Sequence, residues 1–114
     1  MKYMLIMFDR EDDPEAFSDE EFQKWFEVTE EMEKAGIMVG GEALKPSNTA
    51  TTVRGKKSEG FSTIDGPFAE TKEQIGGFYI IEAKDLDEAV HWASRMPHVS
   101  RGGSVEIRPI MIME

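Results

Sequence analysis

The spacing of apolar and polar residues along the chain predicts six strands and two helices. Two runs, at residues 2–8 and 77–83, are apolar at nearly every position, which predicts strands buried on both faces. Shorter runs predict four further strands, at residues 37–44, 49–54, 60–64 and 104–113. Because proline cannot donate a ladder hydrogen bond, Pro109 places the last strand at an edge or at a bulge.

The first helix is predicted over residues 17–36. Ser18 and Glu21 have the spacing of a capping box, and Phe17 and Phe22 have that of a hydrophobic staple. The side chains predicted to face the core are Phe22, Trp25, Phe26 and Met32.

The second helix begins at another capping-box pair, Asp85 and Glu88, and ends before Pro97. Its predicted core positions are Leu86, Ala89, Val90, Ala93 and Met96. With the middle hairpin set aside, the elements follow the order β-α-β-β-α-β, which predicts a ferredoxin-like α+β fold with an inserted hairpin.

A ferredoxin-like sheet carries both helices on one face, so its other face should be polar in a monomer. Residues 3–8 and 78–81 are instead apolar on both faces, and no third long helix is predicted to cover them. We therefore expect a homodimer in which two sheets pack face to face.

The chain of 114 residues has the length of one domain, residues 1–114, with a hydrophobic core. No apolar run approaches the roughly 20 residues of a membrane span, and Asp9 ends the short apolar N-terminus. We therefore expect a cytoplasmic protein without a membrane anchor. The absence of cysteine excludes disulfides, thiol nucleophiles and thiolate metal ligands.

The net charge of −10 is concentrated in the first helix region. Eleven of the 23 acidic residues lie between Glu11 and Glu33, where Lys24 is the only basic residue. This pattern indicates a solvated helix face or, alternatively, an acidic docking surface. Nucleic-acid binding is disfavoured because phosphate contacts need clustered basic residues, and the cluster at 54–57 predicts a hairpin tip.

The most distinctive stretch, residues 65–79, reads Asp-Gly-Pro-Phe-Ala-Glu-Thr-Lys-Glu-Gln-Ile-Gly-Gly-Phe-Tyr. It places a turn, four ionisable side chains and a diglycine directly before an apolar strand. Charges beside a buried strand are costly without partners or a ligand, so this stretch predicts a functional site. Gly76 and Gly77 indicate either positive φ angles or a close backbone approach.

Together with residues 1–7, 41–44, 50–54, 82–89 and 105–109, this stretch resembles the DGPF-domain branch of the YCII-related proteins. The resemblance covers nearly the whole chain and implies a dimeric α+β barrel of ferredoxin-like units. It also implies either enzymes acting on small organic acids or aromatics, or an association with extracytoplasmic-function sigma factors. The shorter branch of the family carries a proposed catalytic histidine in its first helix. No histidine lies in the helix predicted here, so that role cannot be transferred.

Carboxylates of the distinctive stretch are the first site candidates. Asp65 is either a turn residue accepting backbone N–H bonds or a cleft carboxylate acting as a general base. Glu70 and Glu73 would share one face of a helical turn, with Lys72 between them. They form either a solvated, self-paired turn or a paired-carboxylate site, in which Glu70 is catalytic and Glu73 binds substrate.

Two arginines are candidates for binding a substrate carboxylate. Arg108 shares a strand face with Glu106, Ile110 and Ile112, and bidentate Arg–carboxylate bonding would suit a ligand at the mouth of a pocket. The alternative is a salt bridge within the sheet. Arg54 ends its own strand and is a similar candidate.

His98 lies in a loop before Arg101-Gly102-Gly103 and is either a proton shuttle or a surface residue. No spacing of histidines and carboxylates predicts a metal site, and no motif predicts a cofactor. Two functions remain open. One is a small-molecule enzyme or binder whose pocket, between sheet and helices, takes a small, partly apolar organic acid. The other is a non-catalytic dimeric interaction or regulatory module that uses the acidic helix.

Overall fold

A computed structural model describes residues 1–113 of the chain. Its strands are Lys2–Arg10 (β1), Met38–Ala43 (β2), Thr51–Lys56 (β3), Gly60–Asp65 (β4), Glu73–Glu82 (β5) and Ser104–Pro109 (β6). Its α-helices are Asp19–Lys34 (α1) and Leu86–Ser94 (α2), and short 3₁₀ turns span Pro14–Phe17, Ser47–Thr49 and Pro97–Arg101.

Four strands form an antiparallel sheet in the order β2-β5-β1-β6. Helix α1 connects β1 to β2 and helix α2 connects β5 to β6, as in a βαββαβ unit. This confirms the predicted ferredoxin-like α+β fold. Pro109 closes β6 at the edge of the sheet, as its missing N–H requires. The last strand is shorter than predicted: Ile110 still donates its N–H to the Lys2 carbonyl at 2.9 Å, but β6 has already ended at Pro109.

Strands β3 and β4 form a separate two-stranded sheet, residues 51–65, which we call the arm. Gly66 N–H donates to the Ala50 carbonyl at 2.7 Å and so closes the base of the arm. Every arm residue is exposed except Thr52, which is half-buried. The radius of gyration is 16.0 Å, whereas a compact chain of this length has about 13 Å. The inserted hairpin is therefore an extension from the body of the molecule.

The core lies between the helices and one face of the main sheet. Leu5, Met32, Ile81 and Met96 are its largest fully buried apolar side chains. Both predicted N-caps are confirmed: Ser18 Oγ accepts from Glu21 N–H at 3.2 Å, and Asp85 Oδ1 accepts from Glu88 N–H at 2.9 Å.

The predicted inward face of α1 was wrong in two positions, because Phe22 and Phe26 are exposed. The face that packs inward consists of Glu21, Trp25, Val28 and Met32. Because the carboxylate of Glu21 begins this stripe, the buried face of α1 is shifted by one residue relative to the face that the apolar pattern predicts. On α2, Leu86 and Val90 are likewise exposed, whereas Ala89 and Ala93 reach the core as predicted.

Among residues 1–113, no helix lies on the opposite face of the main sheet, because the buried residues of both helices join the core on the first face. Residues opposite one another on neighbouring strands share a face, and the register pairs Met4 with Ile80 and Ile6 with Phe78. We call this surface the open sheet face; its apolar side chains are Met4, Ile6, Phe8, Phe78 and Ile80. All five are half-buried and outside the core cluster.

The diglycine before β5 is explained by a close backbone approach. A Cβ on Gly77 would lie 2.8 Å from the Glu42 carbonyl oxygen on β2. Gly76 is skipped in the pairing of β1 with β5, where a bulge lies between Met7 and Phe8. Neither glycine has a positive φ, so only the close-approach prediction is confirmed.

Candidate functional site

The end of β1, the base of the arm and the start of β5 surround a groove of about 640 Å³, which we call the carboxylate groove. Asp65 and Glu70 both line it, so the structure brings these two predicted residues together. Its other lining residues are Glu11, Asp12, Ser47, Asn48, Gly66, Pro67, Thr71, Lys72 and Gln74.

Asp65 is the last residue of β4 and is exposed. Its carboxylate accepts no hydrogen bond from any residue in the described part of the chain. The turn that follows is instead closed by backbone and hydroxyl groups: Gly66 N–H bonds Ala50, and Thr52 Oγ1 donates to the Gly66 carbonyl at 2.7 Å. The carboxylate of Asp65 is therefore available to a ligand.

The helical turn predicted for Glu70 and Glu73 is absent, so the expectation that they share a face was wrong. Gln74 Nε2 donates to the carbonyls of Ala69 and Thr71 at 2.9 and 3.0 Å and holds residues 69–74 in a loop. Glu73 is already the first residue of β5, opposite Arg10 of β1. It lines a second groove, of about 540 Å³, with Phe8, Arg10, Thr71 and Lys72.

Lys72 lines both grooves and has no ion-pair partner within 4.0 Å among residues 1–113. Two acidic residues of the carboxylate groove, Glu11 and Asp12, already have partners. Glu11 accepts from both the N–H, at 2.7 Å, and the hydroxyl of Ser47. Asp12 receives two bonds from Arg10, at 2.9 and 2.7 Å, which lower the pKa of Asp12. Lys72 is thus a free cation between carboxylates.

Arg108 lies on the open sheet face, since β6 pairs it with Met4 and pairs Glu106 with Ile6. The predicted pocket between sheet and helices is therefore the wrong place for it; the adjacent residue Ile107 packs against that core instead. Arg108 Nε donates to Glu106 Oε2 at 3.0 Å, and its side chain is 72% exposed. Its two Nη groups have no partner among the described residues.

Arg108 and the carboxylate groove lie at opposite ends of β1. Arg108 is opposite Met4, whereas the groove begins just beyond Arg10. At about 3.3 Å per residue, this stretch of strand measures about 20 Å. Within one chain, Asp65 and Glu70 do not converge with Arg108.

Arg54 occupies the arm, where its guanidinium lies 5.1 Å from the centre of the Phe68 ring. A cation over an aromatic face is attracted by the ring quadrupole. The arrangement joins the two sequence segments of the family resemblance, residues 50–54 and 65–79, at the base of the arm.

His98 is fully buried, so the expectation of a surface loop was wrong. The 3₁₀ turn after Pro97 directs the ring inward, 5.3 Å from the Trp25 ring, and His98 Nε2 lies 2.9 Å from the Ser104 carbonyl. Because a carbonyl only accepts, Nε2 carries the hydrogen, and Nδ1 is left buried without a partner in the described part of the chain. A proton shuttle needs an exit that the described residues do not provide.

Sequence reasoning missed a network centred on Arg101. Its guanidinium donates five hydrogen bonds, of 2.5 to 3.0 Å, to three carboxylates, those of Asp9, Asp13 and Glu21. The bonds with Glu21 and then Asp9 raise the pKa of Arg101 further above its usual value. The available signal was Glu21, a charge in the inward stripe of α1, because a buried carboxylate needs a partner.

The network ties β1, α1 and the 3₁₀ turn before β6 together.

No group of three or more histidine, cysteine, aspartate or glutamate side chains in the described residues is arranged to hold a metal ion. None of the helices in residues 1–113 has the length and apolar character needed to cross a membrane.

Comparison with known proteins gives a family and a fold. The family model of the YCII-related domain matches residues 1–114. An uncharacterised protein of Rhizobium meliloti is 34% identical over 117 residues, which cover 98% of this chain and 94% of that protein.

A solved structure with a similar fold is 5-chloro-2-hydroxyhydroquinone dehydrochlorinase from Burkholderia phenoliruptrix, in complex with 2,5-dihydroxybenzoquinone. The TM-score is 0.63, with 13% sequence identity, over 97% of this chain and 94% of the other. At this identity the likeness concerns the fold.

Proposed function

The chain belongs to the YCII-related domain family, and we propose that it binds a small, partly apolar organic acid against the open sheet face, as an enzyme or as a binding protein. A homodimer packed sheet to sheet, located in the cytoplasm, is part of the proposal. The dimer is needed because one chain leaves the apolar side chains of this face without a covering layer.

Arg108 is the single observation that carries this proposal. Its Nη groups are unpaired within the described chain, and the opposing residue, Met4, is apolar, as is Ile6 next along the same face. A guanidinium beside an apolar wall binds the carboxylate of a ligand and leaves room for its hydrocarbon part. The dehydrochlorinase of similar fold, solved with a dihydroxybenzoquinone, supports the use of this fold for small molecules.

Asp65 and Glu70 are the proposed proton-transfer groups if the protein is an enzyme. They share the carboxylate groove, and Asp65 has no hydrogen-bond partner in residues 1–113 that would hold it in a purely structural role. Arg54, Glu73 and His98 stay predictions as site residues, with the contacts described above.

The test uses benzoate as the probe, with wild type, Arg108→Met and a control, Arg95→Met. Arg95 is also an exposed arginine paired with a glutamate, Glu31, but it lies on the helix layer. We expect Arg108→Met to weaken benzoate binding at least tenfold, because a charge-assisted bond is lost, and Arg95→Met to leave it unchanged. Titration calorimetry or ligand-observed NMR measures both.

Two other results would contradict this assignment. If Lys72→Met removes benzoate binding and Arg108→Met does not, the acid sits in the grooves beside Lys72. If no small acid binds to the wild type at any salt concentration, the acid-binding proposal fails.

A second candidate is an interaction or regulatory module, with extracytoplasmic-function sigma factors as the partner class that the resemblance implied. The observation favouring it is the exposure of Phe22 and Phe26, one helical turn apart on acidic α1. This candidate predicts that a sigma factor of this class binds the wild type and not the Phe22→Ser/Phe26→Ser variant. Equal binding to both proteins would remove it.

A further inference from the structure

The arm is the region that the fold of one copy, within residues 1–113, leaves in contact with its own chain on one side only. Its strands pair only with each other, and both of its faces carry exposed apolar side chains. Its length is that of six residues, roughly 20 Å, which is enough to cross a four-stranded sheet of about 15 Å between its outer strands.

One side of the arm is already in contact with its own chain. Thr52 Oγ1 bonds the Gly66 carbonyl, and Arg54 lies over Phe68. The alternation of strand residues places Val53, Phe61 and Asp65 on the other side, which has no such contacts. This second side, which we call the bare side of the arm, carries two exposed apolar residues and ends at the carboxylate of Asp65.

Charge also distinguishes the arm from the rest of the chain. The arm carries three basic residues, Arg54, Lys56 and Lys57, and two acidic residues, Glu59 and Asp65. Its net charge is therefore +1, and the remainder of the chain, whose total is −10, carries −11. Two copies of −10 repel each other at long range, but at contact the arm is the part of the chain whose charge is opposite to that of another copy's acidic body.

We infer that the bare side of the arm packs across the open sheet face of a second copy and brings Asp65 to the same surface as the partner's Arg108. A second copy fits both unpartnered surfaces at once. In a twofold dimer whose open sheet faces are turned towards each other, each arm lies across part of the other copy's face, so the contact is reciprocal and closed. Val53 and Phe61 then contact apolar side chains of the other copy's open sheet face, the surface to which Met4 and Ile6 belong.

This inference rests on the dimer and the acid site proposed above, and it adds that the site is incomplete in one copy. It accounts for the roughly 20 Å that separates Arg108 from Asp65 along β1 within a chain. The cation that binds the acid and the carboxylate that moves its proton would come from different copies.

The first experiment compares dimer dissociation constants of wild type, Phe61→Ser and Phe68→Ser by sedimentation. The two phenylalanines are matched controls, since Phe61 is 75% exposed and Phe68 76% exposed, but only Phe61 is on the bare side. Because the burial of one Phe changes binding at least tenfold and both arms lose it, Phe61→Ser should weaken the dimer about a hundredfold. Phe68→Ser should change it less than threefold.

The second experiment uses the absence of cysteine in the chain. Val53→Cys and Ile6→Cys proteins are mixed, treated with a short bis-maleimide and digested for mass spectrometry. We expect a cross-link between the arm peptide of one protein and the β1 peptide of the other. A Phe68→Cys protein mixed with Ile6→Cys should give none.

The outcomes separate the two proposals. A dimer that binds benzoate but responds equally to the two serine variants, or gives no arm–sheet cross-link, removes the arm from the interface and leaves the Arg108 site standing. A wild type that is monomeric at millimolar concentration overturns both the arm contact and the sheet-to-sheet dimer.

Discussion

Arg101 and Arg108 are seven residues apart and carry the same guanidinium, but their surroundings differ. Arg101 is 12% exposed and bonds three carboxylates, one on β1, one on α1 and one in the loop after β1. Arg108 is 72% exposed and has one bond, to a glutamate two residues away on its own strand. An arginine whose donors are used by several distant carboxylates cannot be removed without leaving those charges unpaired, whereas one with free Nη groups on an apolar face is able to bind a ligand.

Removal of the Arg101 guanidinium should have the largest effect on the protein. Arg101→Leu leaves three partly buried carboxylates without a counter-charge, so we expect the free energy of unfolding to fall by about 3 to 5 kcal/mol. Urea denaturation followed by circular dichroism measures the loss. A decrease below 1 kcal/mol would show that water already screens the network.

A matched control for that variant is Arg101→Lys. The ammonium group keeps the charge but cannot donate in the planar fork that reaches Glu21 and Asp9 together. Its stability should therefore fall between those of the wild type and Arg101→Leu.

Glu106→Gln tests whether the guanidinium of Arg108 is available to a ligand. Glu106 competes with a ligand carboxylate for the guanidinium, and an exposed ion pair contributes roughly 0.2 to 1 kcal/mol. Its removal should therefore increase benzoate affinity by up to about fivefold, as measured by titration calorimetry. Weaker binding would mean that Glu106 orients Arg108 instead of competing for it.

Arg10 provides an intermediate case with a smaller expected effect. It bonds Asp12 through two donors, but both side chains are exposed. Arg10→Met should raise the pKa of Asp12 towards its usual value, because the Arg10 hydrogen bond is the main cause of its lowering. NMR titration of the Asp12 carboxyl group tests this.

The sign of the pH effect follows from the direction of that shift. A carboxyl group whose pKa is lowered in the folded state stabilises it above the unfolded pKa, and this stabilisation is lost as the pH falls through the folded pKa. Arg10→Met should reduce the acid dependence of stability, and an unchanged Asp12 titration would contradict the assigned cause.

Most of the fold could be predicted from local patterns. Strand periodicity, the two capping pairs and the position of Pro109 each depend on neighbours within a few residues, and all were confirmed. The inserted hairpin was also found, because its basic tip interrupts the strand pattern. The prediction that Phe22 and Phe26 lie in the core was wrong, because the inward face of α1 is set by the salt bridge of Glu21 with Arg101 as well as by apolar residues.

The site was less predictable, because its geometry depends on residues far apart in sequence. The alternation of strand residues predicted that Arg108 and Glu106 share one face of the sheet. It did not predict that this is the face without helices. The proximity of Asp65 and Glu70 followed from the sequence, whereas the separation of Glu73 depends on how the amide of Gln74 closes the loop. His98 appeared to be a loop residue because its packing against Trp25 spans more than seventy positions.

The bonds of Arg101 join residues between 80 and 92 positions apart, so they form only after both ends of the chain have met. Closing such long loops costs entropy before the contacts stabilise the chain, which places the network late on the folding route. Its contribution should then act on the rate at which the folded chain opens, and Arg101→Leu should unfold faster while refolding at nearly the wild-type rate. Stopped-flow measurements showing slower refolding instead would place the network in the folding nucleus. In the first case this one guanidinium influences how long each folded molecule persists, and in the second how quickly it forms.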